Sequence, residues 1–121
     1  MNTWNRLSRG RRKGIGAVMF ILHRITGILL TFYLFAHLAT LAIVLQGADG
    51  FSRAMKIMNT PTTKMLELLL VTTVVFHGLN GIRLAILAFI SSRTSISKLL
   101  AYAVLGVTLT LLVISFPLFV Q

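Results

Sequence analysis

The chain lacks cysteine, and its 121 residues include only two acidic side chains and two prolines. Without cysteine it can hold neither disulfides nor thiolate-bound iron–sulfur clusters. Because Asp49 and Glu67 are its only side-chain carboxylates, it has no acid–base pair for hydrolytic chemistry, and it has no glycine-rich phosphate-binding loop. Bond-making catalysis by this chain alone is therefore not expected.

What the chain has in abundance is apolar sequence. It is 56% hydrophobic and only 12% charged, with a mean hydropathy of +0.89, whereas a soluble domain is about a quarter charged. Three stretches, residues 18–45, 65–90 and 99–120, reach the roughly 20 residues that a spanning helix needs. The sequence therefore predicts an all-α membrane protein with a basic arm (1–17) and one three-helix transmembrane domain (18–121).

The basic residues predict how the chain is oriented. Five of them precede the first apolar stretch: Arg6, Arg9, Arg11, Arg12 and Lys13. By the positive-inside rule the N-terminus is cytoplasmic, although three basic residues in the first loop oppose this assignment. The first stretch is too long for a signal-peptide core, so we expect it to be retained in the plasma (inner) membrane. Because the charges lie at the ends of apolar runs, the net charge of +10 predicts no nucleic-acid binding.

His77 is the clearest candidate for chemistry. It lies near the middle of the second predicted helix, and Gly78 and Gly81 beside it leave room for a broad group to approach the backbone. A neutral imidazole in an apolar bundle is suited to bind a haem iron axially. The alternative is a histidine that hydrogen-bonds a neighbouring helix, and both interpretations stay open here.

Two arginines and a second histidine extend this pattern. Arg24 and Arg83 lie toward the cytoplasmic ends of their helices, where they either contact haem propionates or a quinone carbonyl, or snorkel to headgroups. If both mark the same level, His37 and His77 differ in depth by roughly 10 Å, too far to bind one iron together. His37 then serves a second haem, or it is a lipid-interface histidine.

The segments around the second and third helices carry weaker predictions. In residues 47–63, Phe51, Met55 and Met58 fall near helical spacing, which predicts a piece lying along the membrane interface that Pro61 ends. Asn80 is expected to hydrogen-bond a neighbouring helix or a propionate. The third helix is expected to serve packing.

Two motifs resemble a known family. "HRITG" at 23–27 and "FHGLNGIR" at 76–83 resemble the larger cytochrome b anchor subunit of succinate dehydrogenase (succinate:quinone oxidoreductase). The resemblance covers about residues 17–89, and the ordered pair of motifs is more specific than either motif alone.

The resemblance implies a haem b with His77 as axial ligand and an opposite ligand from a second small anchor subunit. It implies that His23 and Arg24 lie near the propionates and the quinone pocket, with Arg83 at the same level. It also implies a flavoprotein subunit and an iron–sulfur subunit on the cytoplasmic side, from which electrons of succinate reach membrane quinone. Some relatives hold two haems at different depths, which would bring in His37.

The sequence departs from the family pattern in two places. Phe20 stands where many relatives carry a quinone-contacting serine, and Arg83 is followed by "LAILA" where many read His-Leu-x-x-Asp. These changes fit a pocket for a different quinone, such as menaquinone. Thr26 is a further candidate for that pocket.

Two other functions are weighed against this one. A cytochrome b subunit of another quinone-linked dehydrogenase usually supplies both ligands of each haem from one larger chain, for which three histidines leave little scope. A haem-free structural subunit, in which the histidines only pack, predicts a colourless protein.

Overall fold

The chain folds as four helices in the computed structural model, which describes residues 14–90 and 94–120. They are α1 (Ile15–Val44), α2 (Ala48–Met58), α3 (Pro61–Phe89) and α4 (Thr94–Val120). α1, α3 and α4 are each long and apolar enough to cross a membrane, with mean hydropathies of 2.0, 1.6 and 2.4 over their most apolar segments. The predicted three-helix membrane fold is confirmed. Most of the predicted basic arm lies outside the described residues.

Pro61 begins α3, so the prediction that it ends the preceding segment was wrong. Thr60 is extended and its hydroxyl accepts a hydrogen bond from the Thr63 amide at 3.3 Å, which makes it the N-cap. Proline suits the next position because the amide hydrogen that it lacks would have no partner in the first turn. As a result α3 starts four residues before the predicted residue 65. α1 likewise starts at Ile15, three residues before the prediction.

The segment between α1 and α3 forms a complete helix, α2. It folds back onto the end of α1 after Gly47, whose φ of 92° suits glycine. Gly50 is buried so closely against α1 that a Cβ there would collide with the Ile43 carbonyl oxygen. Ala54 is also buried, whereas Phe51 and Met55 on other faces are exposed. This amphipathic pattern is typical of a helix at a membrane interface.

The buried apolar cluster lies toward one end of the bundle, the end where α1 and α4 begin and α3 finishes, called here the N-terminal end. Met19 of α1, Phe76 of α3 and Ala101 and Val104 of α4 form the buried apolar cluster. α4 therefore contributes packing, as expected. Farther along α1, residues 31–39 are all exposed, so the half of the helix beyond the cluster has an open surface.

Candidate functional site

Antiparallel packing of α1 and α3 brings His23 and His77 face to face. Their rings are stacked, with centroids 4.0 Å apart and planes within 6° of each other. The sequence did not predict this pair, because the resemblance implied only that His23 lies near the propionates and quinone. Both side chains are half-buried.

The hydrogen bonds of His77 determine which ring nitrogen carries the proton. Its Nδ1 lies 3.2 Å from the His23 carbonyl oxygen and 3.0 Å from Thr26 Oγ1. A carbonyl oxygen can only accept, so Nδ1 must be the donor. Nε2 of the neutral ring then keeps its lone pair, which is the atom that a metal ligand needs.

Thr26 is placed to accept that hydrogen bond. Its hydroxyl lies 2.9 Å from the Leu22 carbonyl oxygen and 3.0 Å from that of His23, both on the preceding turn of α1. Its single proton is donated to one of these carbonyls. The lone pairs of Oγ1 are then available to the Nδ1–H of His77.

Glycines let the two rings pack closely against the helix backbones. A Cβ on Gly27 would lie 3.1 Å from His77 Cε1, and one on Gly81 would lie 3.7 Å from His23 Cε1. Gly78 is exposed, and a Cβ there would meet nothing within 4 Å. Gly27 therefore permits the position of the His77 ring, and Gly78 leaves the adjacent surface of α3 open.

These residues are compatible with a haem. Nε2 of His77 keeps its lone pair, Gly78 leaves the adjacent surface of α3 open, and the buried Nδ1 of His23 has no hydrogen-bond partner among the described residues. Within residues 14–90 and 94–120 no cluster of three or more metal-binding side chains exists. A haem iron does not require one, because the porphyrin supplies four ligands and the protein only the axial positions.

Arg83 lies in a buried polar network at the N-terminal end. Asn80 is fully buried and donates to the Met19 carbonyl oxygen at 3.3 Å. Arg83, 4% exposed, donates to Asn80 Oδ1 at 3.3 Å and to Ser97 Oγ at 3.0 Å. The network joins α1, α3 and α4, and it confirms the expected bond from Asn80 to a neighbouring helix. Because the Arg83 side chain is turned into the bundle, it does not snorkel to the surface.

Arg24 and Arg83 both lie toward the N-terminal end of the bundle, with Arg83 nearer to that end. The bond from Asn80 to Met19 separates the two arginines by roughly 12 Å in depth at ~1.5 Å per residue. The contact range between Gly27 and His77 gives a smaller separation of roughly 5 Å. The assumption that they mark one level therefore holds only to within about one to two helical turns.

Arg24 presents its side chain on a different face of α1 from His23. It is exposed, and its guanidinium carbon lies 5.6 Å from the centroid of the exposed Phe20 ring, one turn away. Two candidate quinone-site residues, Arg24 and Phe20, therefore share one outward surface. The third, Thr26, has its hydroxyl engaged with His77, and its part in a quinone site stays a prediction.

His37 lies apart from the histidine pair. It is exposed, and its Nδ1 is 3.4 Å from the hydroxyl oxygen of Tyr33. Gly27 is in contact range of His77, and His37 follows Gly27 by ten residues, so the depth difference is at least ~15 Å, more than the roughly 10 Å estimated from the sequence. The two histidines cannot bind the same iron.

Comparison with known proteins identifies the family. Residues 2–115 match the family described as the succinate dehydrogenase/fumarate reductase transmembrane subunit. The chain belongs to this family. Membership places it in a membrane and implies soluble partner subunits.

Two relatives are similar over different lengths. The chain is 31% identical over 114 residues to the succinate dehydrogenase 2 membrane subunit SdhC of Mycobacterium tuberculosis, an overlap of 88% of this chain and 84% of that protein. It is 37% identical over 70 residues to the succinate dehydrogenase hydrophobic membrane anchor subunit of Halobacterium salinarum, an overlap of 57% and 54%. The first overlap includes most of the three-helix domain.

Proposed function

We propose that this chain is the haem b-binding membrane anchor of a succinate:quinone oxidoreductase. In this role it docks a flavoprotein and an iron–sulfur subunit at the cytoplasmic face of the plasma membrane and pairs with a second small anchor subunit. The observation that carries the proposal is the environment of His77, whose Nδ1–H is held by an acceptor-only carbonyl and whose Nε2 is free. Family membership supplies the reaction with which this site is compatible.

Each residue of the site has a separate role in the proposed function. His77 binds the iron through Nε2, and the His23 carbonyl and Thr26 orient its ring. The orphan Nδ1 of His23 is available for a hydrogen bond, and the exposed guanidinium of Arg24 is a cation suited to propionates or a quinone oxygen. A bound haem b would supply a one-electron carrier. Packing of Met19 and Phe76 against α4 excludes water from the neighbouring part of the bundle.

Quinone reduction is assigned to the surface that carries Arg24 and Phe20. A quinone takes up two electrons and two protons to become a quinol, and negative charge develops on its oxygens as electrons arrive. A guanidinium at hydrogen-bond distance stabilises that charge. Phe20 in place of a small polar residue makes this surface more apolar, which favours menaquinone as the acceptor.

Arg24→Ala tests the quinone assignment. Loss of one charge-assisted hydrogen bond of ~1.5–3 kcal/mol should slow succinate:quinone reduction by roughly 10–100-fold. Electron transfer from succinate to a soluble artificial acceptor should stay within about two-fold of wild type, because the soluble subunits are unaffected.

The matched control is Arg53→Ala, which removes an exposed arginine from α2 near the opposite end of the bundle. It should leave both rates unchanged. If Arg24→Ala slows both reactions equally, Arg24 supports assembly and the quinone assignment is wrong.

Gly27→Val tests whether haem binding depends on the position of the His77 ring against Gly27. Already a Cβ at this position meets the imidazole at 3.1 Å, and the two further methyl groups of valine must displace the ring. Overpacking costs about 1–3 kcal/mol, so the haem affinity should fall about 10–100-fold. The measurement is the amount of haem retained per complex after dilution in detergent. Gly106→Val on α4, where a Cβ meets nothing within 4 Å, is the control and should retain its haem. Equal retention in both variants would contradict the placement of the haem at His77.

His37 is the candidate for a second haem. It lies on the open half of α1, at least ~15 Å deeper than His77, so a haem there would need its other ligand from the partner anchor. The neighbour of His37 does not determine which ring nitrogen carries its proton, because a tyrosine hydroxyl can donate or accept a hydrogen bond. In this respect His37 differs from His77. A complex with one haem would use His77 alone, and a complex with two would also use His37.

A further inference from the structure

The hydroxyl of Thr26 has three polar neighbours, and together they leave it one role. Two are backbone carbonyl oxygens of the preceding turn, at 2.9 Å and 3.0 Å, and the third is His77 Nδ1, at 3.0 Å. Because the contact with the His23 carbonyl makes Nδ1 a donor, Nδ1 cannot accept the threonine proton, and one of the two carbonyls receives it. Thr26 Oγ1 must then act as an acceptor toward the imidazole.

The backbone geometry reinforces this role. The His23 carbonyl contacts both Thr26 and His77, so the imidazole Nδ1–H is shared between two acceptors that lie on one turn of α1. A ring held by two acceptors and stacked on His23 at 4.0 Å has little freedom to rotate. The rotation would have to break both hydrogen bonds and the stacking contact together.

From this geometry we infer that Thr26 is a positioning residue, which serves as a second acceptor beside the His23 carbonyl, holds the orientation of the His77 ring and tunes the haem that His77 binds. The inference rests on the proposed function. An acceptor on Nδ1–H makes the imidazole a stronger electron donor through Nε2 and favours ferric over ferrous iron. Removing that acceptor should raise the reduction potential and weaken the iron–nitrogen bond.

Three variants separate this role from simple packing. Thr26→Val keeps the shape of the side chain and removes the hydroxyl, and Thr26→Ser keeps the hydroxyl and removes the methyl group. Thr31→Val removes a hydroxyl that is exposed and bonds only the Gly27 carbonyl, so it controls for losing a hydroxyl from the same helix. All three are made in the full complex.

The readouts are the haem midpoint potential, the g-values of the ferric haem in electron paramagnetic resonance and the rate of haem loss. Thr26→Val should raise the potential, shift the g-values and accelerate haem loss by roughly 10-fold. Thr26→Ser and Thr31→Val should match wild type. If Thr26→Val matches wild type in all three readouts, or if Thr26→Ser shifts as far as Thr26→Val, the hydroxyl does not tune the site.

The inference can fail separately from the proposed function. If the wild-type complex holds no haem, the proposed function fails, and the tautomer of His77 is then read by ¹⁵N NMR of histidine-labelled complex, assigned by comparison with His77→Gln. Protonation at Nδ1 in wild type, with an Nδ1 resonance that shifts in Thr26→Val but not in Thr26→Ser, would support the role of Thr26. Protonation of wild-type His77 at Nε2 would overturn it.

Discussion

His77→Ala is expected to abolish the b-type absorption band of the haem bound at this site, with a loss of about 10-fold or more in the reduced-minus-oxidised spectrum. The physical reason is that Nε2 of His77 is the nitrogen that the His23 carbonyl leaves unprotonated, and alanine offers no ligand. The soluble subunits should still assemble, because the Asn80 and Arg83 network that joins the helices is intact. Succinate oxidation with an artificial acceptor measures that assembly.

His37→Ala is the companion variant, because it removes a histidine from α1 far from the pair. It should lower the haem absorption only if the wild-type complex holds a second haem. The decrease should then equal the absorption that the second haem contributes. An unchanged spectrum in His77→Ala would refute the ligand assignment. Loss of both spectrum and assembly in His77→Ala would instead give the residue a structural role.

Asn80→Ala is expected to cause the largest loss of stability among substitutions in the helix bundle. Asn80 is fully buried, and its amide is the link between Met19 of α1 and Arg83. Alanine leaves a cavity and removes an acceptor from a buried guanidinium. The only side-chain carboxylates of the chain, Asp49 and Glu67, lie toward the opposite end. We expect the free energy of unfolding to fall by about 2–4 kcal/mol.

The measurement is the temperature at which the detergent-solubilised complex leaves its monodisperse size-exclusion peak. Asn59→Ala removes an exposed asparagine after α2 and should melt within a few degrees of wild type. The double variant Asn80→Ala with Arg83→Ala should lose less than the sum of the single losses, because both belong to one network. Strict additivity, or an Asn80→Ala complex as stable as Asn59→Ala, would show that the network does not stabilise the bundle.

The fold followed from the sequence wherever apolar length decides the structure. Three runs of at least 20 apolar residues must become helices in a bilayer, since no other single segment satisfies its own backbone there. The predicted ends of the helices were less accurate. Thr60 and Pro61 form a helix start that reads equally well as a helix stop, because proline is common at both places. The full length of α2 was not predicted because its buried face consists of Gly50 and Ala54, which carry little hydrophobic signal.

The site was predicted in part. Spacing along each helix gives depth relative to its own arginine, so the separation of His77 from His37 could be estimated from the sequence only by assuming that the two arginines mark one level. Spacing does not give the rotation and register of one helix against another. These depend on the bond from Asn80 to Met19, and they decide that His23 stacks on His77 and that Arg24 and Arg83 lie at different depths. Thr26, three residues after His23, is visible in the sequence as a polar residue of α1. The sequence could not show whether its hydroxyl contacts a quinone or His77.

The ratio of haem to flavin tests directly whether His77 holds an iron. The complex is purified through a tag on this chain, haem is measured by pyridine haemochrome, and covalent or acid-released flavin is measured by fluorescence. We expect at least one haem b per flavin, with a ratio near one assigning it to His77 and a ratio near two adding His37. Flavin without haem would contradict the role of His77 as an iron ligand and leave the chain a structural anchor of the complex.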